Sequence, residues 1–249
     1  MALVHDFCGL YFFSSFQGGF SVRLHLRTRS SILLYLFLAM DVTFIILHII
    51  YTYTGLISNA SFSIEQDRGY AEIFQYFKEY WSVLLLGLLA LRARSLLYLI
   101  WSLLFFYLLL DDSLQIHETL GMYISAKLNF SGLFNLRAQD FGELAVSISV
   151  SLFFLVCISI AYYFSDRFSK KTSRYLIKAL CFLALFGIVV DMVHIMVKSP
   201  PLYSLLGLIE DGGENVVMSI IVCFIFSLSK GLPQKVTQKD RFAGYSTDS

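Results

Sequence analysis

The stretch SLLYLIWSLLFFYLLLDDSLQIHETLG, residues 95–121, decides how the chain is read. An apolar run from Ser95 to Leu110 is followed by two aspartates, a histidine and a glutamate. At 1.5 Å per helical residue the run is about 24 Å long, short of a hydrocarbon core about 30 Å thick. A crossing helix must therefore continue past Leu110. Asp111 and Asp112 then fall inside the outer third of the membrane, with His117 and Glu118 near its surface. An ionisable group at that depth is costly and needs a partner or a role.

The rest of the chain has the same character. Of its 249 residues, 57% are hydrophobic and 15% charged, where a soluble domain carries roughly a quarter charged residues. The sequence reads as an all-α polytopic membrane protein. It forms a helical bundle with about six transmembrane helices, at about 31–54, 71–91, 96–119, 140–165, 175–198 and 205–229. Residues 1–30 read as an N-terminal tail, 31–229 as the six-span domain and 230–249 as a C-terminal tail. Connections this short make neighbouring helices antiparallel. Of the 19 Lys and Arg residues, 14 fall on one side of this arrangement. Arg68, Lys78, Lys127, Arg137 and Lys198 fall on the other. The positive-inside rule then places both tails in the cytoplasm. Cys8, Cys157, Cys181 and Cys223 form no C-x-x-C pair, which argues against a disulfide framework or a thiolate metal site. A net charge of +1 gives no footing for nucleic acid.

Depth arithmetic on the other spans reaches the same level. Glu214 lies about 24 Å from Lys230, Asp191 about 20–25 Å from Lys178 and Arg174, Glu79 about 20 Å from Arg92, and His48 about 28 Å from Arg29. Helical phase agrees. Asp191 and His194 are i, i+3, Glu210 and Glu214 are i, i+4, and Glu72, Gln75 and Glu79 make a stripe on the second span. Asp111, Gln115 and Glu118 make another on the third, and Asp41 and His48 share a face of the first. Five spans thus carry ionisable groups toward one slab near the outer surface.

Three uses of such a slab are open. Carboxylate and imidazole are the ligand types for Zn²⁺, Mn²⁺ or Fe²⁺. In that reading Asp111, His117, Asp191, His194 and Glu214 hold a divalent metal, with His48 next. The metal activates water against a lipid or lipid-linked substrate from the outer leaflet, and Asp112 or Glu118 serves as general base. In the second reading the carboxylates and histidines are the site of an ion- or proton-coupled transporter. Gly212–Gly213 offers a point where the last helix could unwind, although the cytoplasmic half has few polar steps besides Asp41. In the third the cluster is a solvated vestibule, and the protein is a scaffold, an immunity-type or assembly factor, or a partner subunit in the lipid bilayer.

FFYLLLDDSLQIHETLG resembles a pattern found in uncharacterised bacterial multi-pass membrane proteins, an apolar helix ending in an acidic pair followed by His-Glu. IEDGGENVVMS is similar to an acidic, glycine-containing segment of the same proteins. The resemblance covers about two of the six spans. It implies a bacterial inner-membrane protein and groups Asp111, Asp112, His117 and Glu118 as a unit. Asp112 departs from the pattern, where a glutamate is usual. The resemblance implies no activity.

Overall fold

The computed structural model describes residues 20–133 and 135–231, with side chains described over 31–229 apart from 134. The chain before residue 20 and after 231, including Cys8, Lys235, Lys239 and Arg241, lies outside the described residues.

The described chain is helical. In order come α1 (Phe20–Thr54), a 3-10 turn (Ala60–Phe62), α2 (Tyr70–Ala93), α3 (Leu96–Leu114), α4 (Ile116–Lys127) and α5 (Ala138–Phe164). Then follow α6 (Arg167–Ala184), a π-helical segment (Leu185–Val190), α7 (Asp191–Met196) and α8 (Pro200–Gly231). Among the described residues there is no strand, only an isolated bridge between Leu133 and Leu136. Among the described residues five segments are long and apolar enough to cross a membrane: Ser31–Thr54, Leu96–Leu114, Ala138–Phe164, Arg167–Met196 and Pro200–Ser229. The sequence read as a multi-pass membrane protein, and these helices agree with that. α2 has 24 residues, about 36 Å of helix, but it carries Glu72, Lys78, Glu79 and Arg92. Its Lys78 and Glu79 are turned into the protein, 0% and 1% exposed.

Local chemistry sets the turns. Arg94 takes a left-handed conformation (φ 48°) and ends α2, and Ser95 starts α3 at once. Arg137 and Asp140 close a reciprocal cap on α5. The Asp166 side chain accepts from the N–H groups of Phe168 and Ser169 and caps α6. These hydrogen bonds and one from Ser169 Oγ outweigh burial and hold the Asp166 carboxyl below its ordinary range. α8 opens on Pro200, whose missing N–H costs nothing in the first turn.

α8 is the central helix and packs against α1, α2, α6, the π segment and α7. α2 also packs on α3, and α5 packs on α3 and α4. The half of the bundle nearest Arg92, Arg94 and Arg167, the basic half, is filled by Leu86, Leu97, Trp101, Phe105, Leu176, Ile221 and Ile225. Three of its buried polar side chains are paired with neutral partners. Trp101 Nε1 donates to Ser173 Oγ (3.0 Å), Tyr98 Oη to Thr172 Oγ1 (3.3 Å) and Ser102 Oγ to the Val83 carbonyl (2.9 Å).

Two features differ from the sequence reading. The third span does not run on to 119. Gln115 adopts φ 54°, and α3 stops at Leu114. That break removes the Asp111–Gln115–Glu118 stripe, because the residues no longer share one helix. The last helix does not unwind at Gly212–Gly213 but runs unbroken from Pro200 to Gly231. Gly213 serves packing instead, since a Cβ there would overlap the Phe186 ring.

Candidate functional site

The opposite, acidic half is built differently. Its deepest part is a charge network between α1, α2 and α8. Lys78 Nζ donates to Asp41 Oδ1 (3.1 Å), the Asn215 carbonyl (2.7 Å), Asn215 Oδ1 (2.8 Å) and Ser219 Oγ (3.3 Å). Ser219 Oγ donates in turn to Asp41 Oδ2 (2.6 Å), and Asn215 Nδ2 to the Asp211 carbonyl (3.2 Å). Lys78, Asp41, Asn215 and Ser219 are all buried, and the Phe74 ring lies 4.7 Å from Nζ. This pair is neutral as a unit and internally satisfied. The sequence reading counted Lys78 among the basic residues of the outer side, but it sits in the interior.

One residue further along α2, Glu79 faces a different environment. Its Oε2 is buried and has no hydrogen-bond partner. Asp112 of α3 and Glu214 of α8 are its acidic neighbours, with Asp112 within hydrogen-bond reach, and the Lys78 ammonium is near enough to interact although it is ion-paired with Asp41. Ionised carboxylates are acceptors only, so carboxyl groups that meet this way share a proton or a cation. Gln75 Nε2 donates to Glu214 Oε2 (3.3 Å). On the far side of Glu214, Gly187 of the π segment lies so close that a Cβ would overlap the carboxyl group. π-helical turns recur at functional sites, and here the turn brings backbone against an acidic side chain. Among the described residues no Lys, Arg or His forms an ion pair with Glu79, Asp112 or Glu214.

Exposure is graded along this set. Glu72, Asp112 and Glu214 are half-buried, and Glu79 and Lys78 are buried. Tyr76 Oη donates to Glu72 Oε1 (2.6 Å) and to the Asp112 carbonyl (3.2 Å), which joins the outermost member to the rest. The Glu72 carboxyl also accepts from the Arg68 N–H.

A second group lies between α7 and α8. His194 Nδ1 is 2.7 Å from Glu210 Oε2, and Asp191 is within hydrogen-bond reach of the same glutamate. The spacing of Asp191 and His194 thus brings both to one partner, although that partner is Glu210. The Tyr203 ring centroid lies 4.1 Å from that of His194. His194 Nε2 is buried without a hydrogen-bond partner.

The other candidates are occupied by structural contacts. Asp111 accepts from the His117 N–H at Oδ1 (2.8 Å) and faces His117 Nδ1 with Oδ2 (3.2 Å), latching the start of α4 to the end of α3. That hydrogen bond pushes His117 up to about 9, against the opposing effect of burial. Glu118, on α4, is held above its ordinary value, first by burial. His48 Nδ1 accepts from the Ile64 N–H (3.2 Å) and lies 3.2 Å from Ser63 Oγ. The acceptor role puts its proton on Nε2, 3.9 Å from Glu65. The structure thus sorts the seven predicted residues: Asp112 joins Glu214, Asp191 joins His194, Asp111 joins His117, and Glu118 stays on the short outer helix. Among the described residues no three His, Cys, Asp or Glu side chains are placed to hold a metal ion.

A family model described as a domain of unknown function, DUF8692, matches residues 32–229. The chain belongs to the DUF8692 family. The matched stretch runs from the first membrane-crossing segment to the last and includes every residue from Asp41 to Ser219 named above. No curated protein and no solved structure matches the chain.

Proposed function

We propose that this DUF8692 protein is a proton-coupled membrane carrier of a bacterial inner membrane, with Glu79, Asp112 and Glu214 as its coupling carboxyls. α2 is the sixth span in this reading. The basic half faces the cytoplasm together with both termini, and the acidic half faces outward. One observation carries the proposal. Glu79 is 1% exposed, its Oε2 has no partner, and two further carboxyls stand beside it, while Lys78, the cation near enough to interact, is ion-paired with Asp41. Burying such a group ionised and alone is prohibitive, so the site must hold a proton. The graded exposure from Glu72 to Glu79 gives that proton a route from the outer side. The apolar core of the basic half closes the other side in this conformation, as one state of an alternating carrier requires.

The test is reconstitution into liposomes loaded with a pH-sensitive dye, combined with infrared titration of carboxyl groups in the purified protein. A carboxylic C=O band that titrates and is diminished in Glu79→Gln, with proton flux at least tenfold slower in that variant, is the expected result. No titrating buried carboxyl and no flux under any imposed ion gradient would refute the proposal.

A second reading is favoured by one observation. His194 directs Nδ1 at Glu210 and leaves Nε2 buried and unpartnered. A carboxylate behind an imidazole with its other nitrogen free is the arrangement of metal-ligating histidines. In that reading His194 and Asp191 anchor a Zn²⁺, Mn²⁺ or Fe²⁺ site for hydrolysis of a lipid-linked substrate. Elemental analysis of purified protein, with and without chelator, decides it. Stoichiometric metal that disappears in His194→Ala supports it, and metal-free protein that gains no stability from added ions removes it.

A further inference from the structure

We propose that the outward face of α6 binds an anionic phospholipid of the leaflet that the basic half meets, with the lipid phosphate held by Arg174 and Lys178. This inference is independent of the carrier reading and needs only that the bundle spans a bilayer.

The sequence of α6 sets up the face. Arg167, Lys170, Lys171, Arg174 and Lys178 stand at i, i+3, i+4, i+7 and i+11, so helical geometry puts all five cations on one side. Ser169, Thr172, Ser173, Leu176 and Ala179 are buried on the opposite side. There Thr172 and Ser173 meet Tyr98 and Trp101 of α3. Arg167, Arg174 and Lys178 are exposed. The positive-inside rule asks for basic residues near the ends of spans but does not ask that they share a face.

Depth separates this stripe from an ordinary solvated one. Arg167–Met196 has 30 residues, about 45 Å of helix, enough for a bilayer with both headgroup layers. With Arg167 at the water edge, Arg174 lies about 10 Å in and Lys178 about 16 Å in. One headgroup layer is only about 5–8 Å thick. Two exposed cations therefore stand at or below the hydrocarbon boundary, where a charge needs a partner. Among the described residues no Asp or Glu forms an ion pair with Arg167, Lys170, Arg174 or Lys178. Asp166, at the start of the helix, is taken up by the Phe168 and Ser169 N–H groups and by Ser169 Oγ. Lys178 leans back toward the headgroups, its Nζ 5.9 Å from the centroid of the Tyr175 ring. Lys170 Nζ donates to the Tyr163 carbonyl at the end of α5 (3.1 Å), which fixes one edge of the face.

The deeper part of the face selects a lipid over a soluble anion. Phe182 and Leu185 continue the same line toward the middle of the span and are 43% and 42% exposed. Cations followed by apolar side chains match a phosphate followed by an acyl chain. The Arg174 guanidinium offers a fork of donors that fits phosphate oxygens, and the Lys178 ammonium adds a mobile point charge.

The experiment uses full-length protein in uncharged detergent. Dioleoyl phosphatidylglycerol, dioleoyl phosphatidylcholine and inorganic phosphate are titrated separately, with bound lipid counted by native mass spectrometry and melting temperature followed in parallel. The expected result is saturable retention of phosphatidylglycerol, weak retention of phosphatidylcholine and no response to phosphate. Arg174→Gln with Lys178→Gln should weaken phosphatidylglycerol binding about tenfold. Arg92→Gln with Arg94→Gln, which removes the same charge between α2 and α3, should leave it unchanged. A wild-type measurement guards against a misfolded variant: phosphatidylglycerol with a photoactivatable acyl chain should label peptides that hold Phe182 and Leu185. Equal retention of phosphatidylcholine, or an equal loss in the two double variants, would overturn the inference. So would stabilisation by phosphate alone, or labelling confined to other helices.

Discussion

The two halves of the bundle bury polar groups by opposite rules. In the basic half the buried polar side chains are neutral: Trp101 meets Ser173, Tyr98 meets Thr172, and Ser169 donates to the capping carboxylate of Asp166. In the acidic half ionisable groups are buried too, and among the described residues two atoms, Glu79 Oε2 and His194 Nε2, meet no partner. A buried neutral hydrogen bond adds modest stability, whereas an uncompensated buried carboxyl subtracts from it. The basic half is therefore built to hold the helices together. The acidic half carries a cost that folding alone does not explain, and costs of that kind concentrate at functional sites.

The sharpest way to break this contrast is at Lys78. Lys78→Met leaves Asp41 buried without its partner and should cost about 3–5 kcal/mol, read by equilibrium unfolding in mixed micelles. Adding Asp41→Asn should recover most of that loss. A single variant as stable as wild type would mean that the Lys78–Asp41 network contributes no more than a surface pair. In the basic half, Trp101→Phe keeps an aromatic ring and removes only the bond to Ser173. A loss of about 1 kcal/mol in the same measurement is expected, with no change in proton binding. Altered binding would erase the division between the halves. Glu79→Gln should act in the opposite direction, raising stability by about 0.5–1 kcal/mol while proton uptake falls, the usual trade between stability and function. Destabilisation beyond 1 kcal/mol would make Glu79 a structural residue.

The smallest effect concerns His117. Its protonation is favoured in the folded protein, where it is held at about 9, above the ordinary value of about 6.5. A raised folded value contributes stability that is complete below about 6.5 and is lost as pH rises through about 9. The difference in melting temperature between wild type and His117→Gln should therefore be largest below about pH 6.5 and vanish above about 9. A difference that persists in alkaline solution would assign the latch to packing instead.

Much of the bundle was legible because hydropathy over 20-residue windows is a strong signal, and counting residues put Asp112, Asp191 and Glu214 toward the same end of the bundle. Partners were not legible. Rise per residue gives a height along the membrane normal but no azimuth. Lys78 and Glu79, adjacent in sequence, therefore looked like two charges of one outer slab, yet they face different neighbours. The break at Gln115 had no warning, since a glutamine in the left-handed region carries none of the signal that glycine would. Gly212–Gly213 carried a misleading one, because a glycine kept for close packing looks the same as a glycine kept for bending. Gly187 and the π segment lie in an unbroken apolar run, where periodicity cannot distinguish a wider turn from an ordinary one.

The Lys78 network also has a consequence for the order in which the protein is made. Its ligands arrive at very different times during synthesis. Asp41 precedes Lys78 by 37 residues, whereas Asn215 and Ser219 follow by 137 and 141. Within the hairpin of α1 and α2, Lys78 can pair with Asp41 as soon as α2 is made, long before α8 supplies the rest of the network. The remaining donors and acceptors of that hairpin stay incompletely satisfied until α8 emerges. The last helix is thus the keystone: a chain that stops before residue 215 keeps Lys78 and Asp41 but lacks the carbonyl and hydroxyl that complete their network.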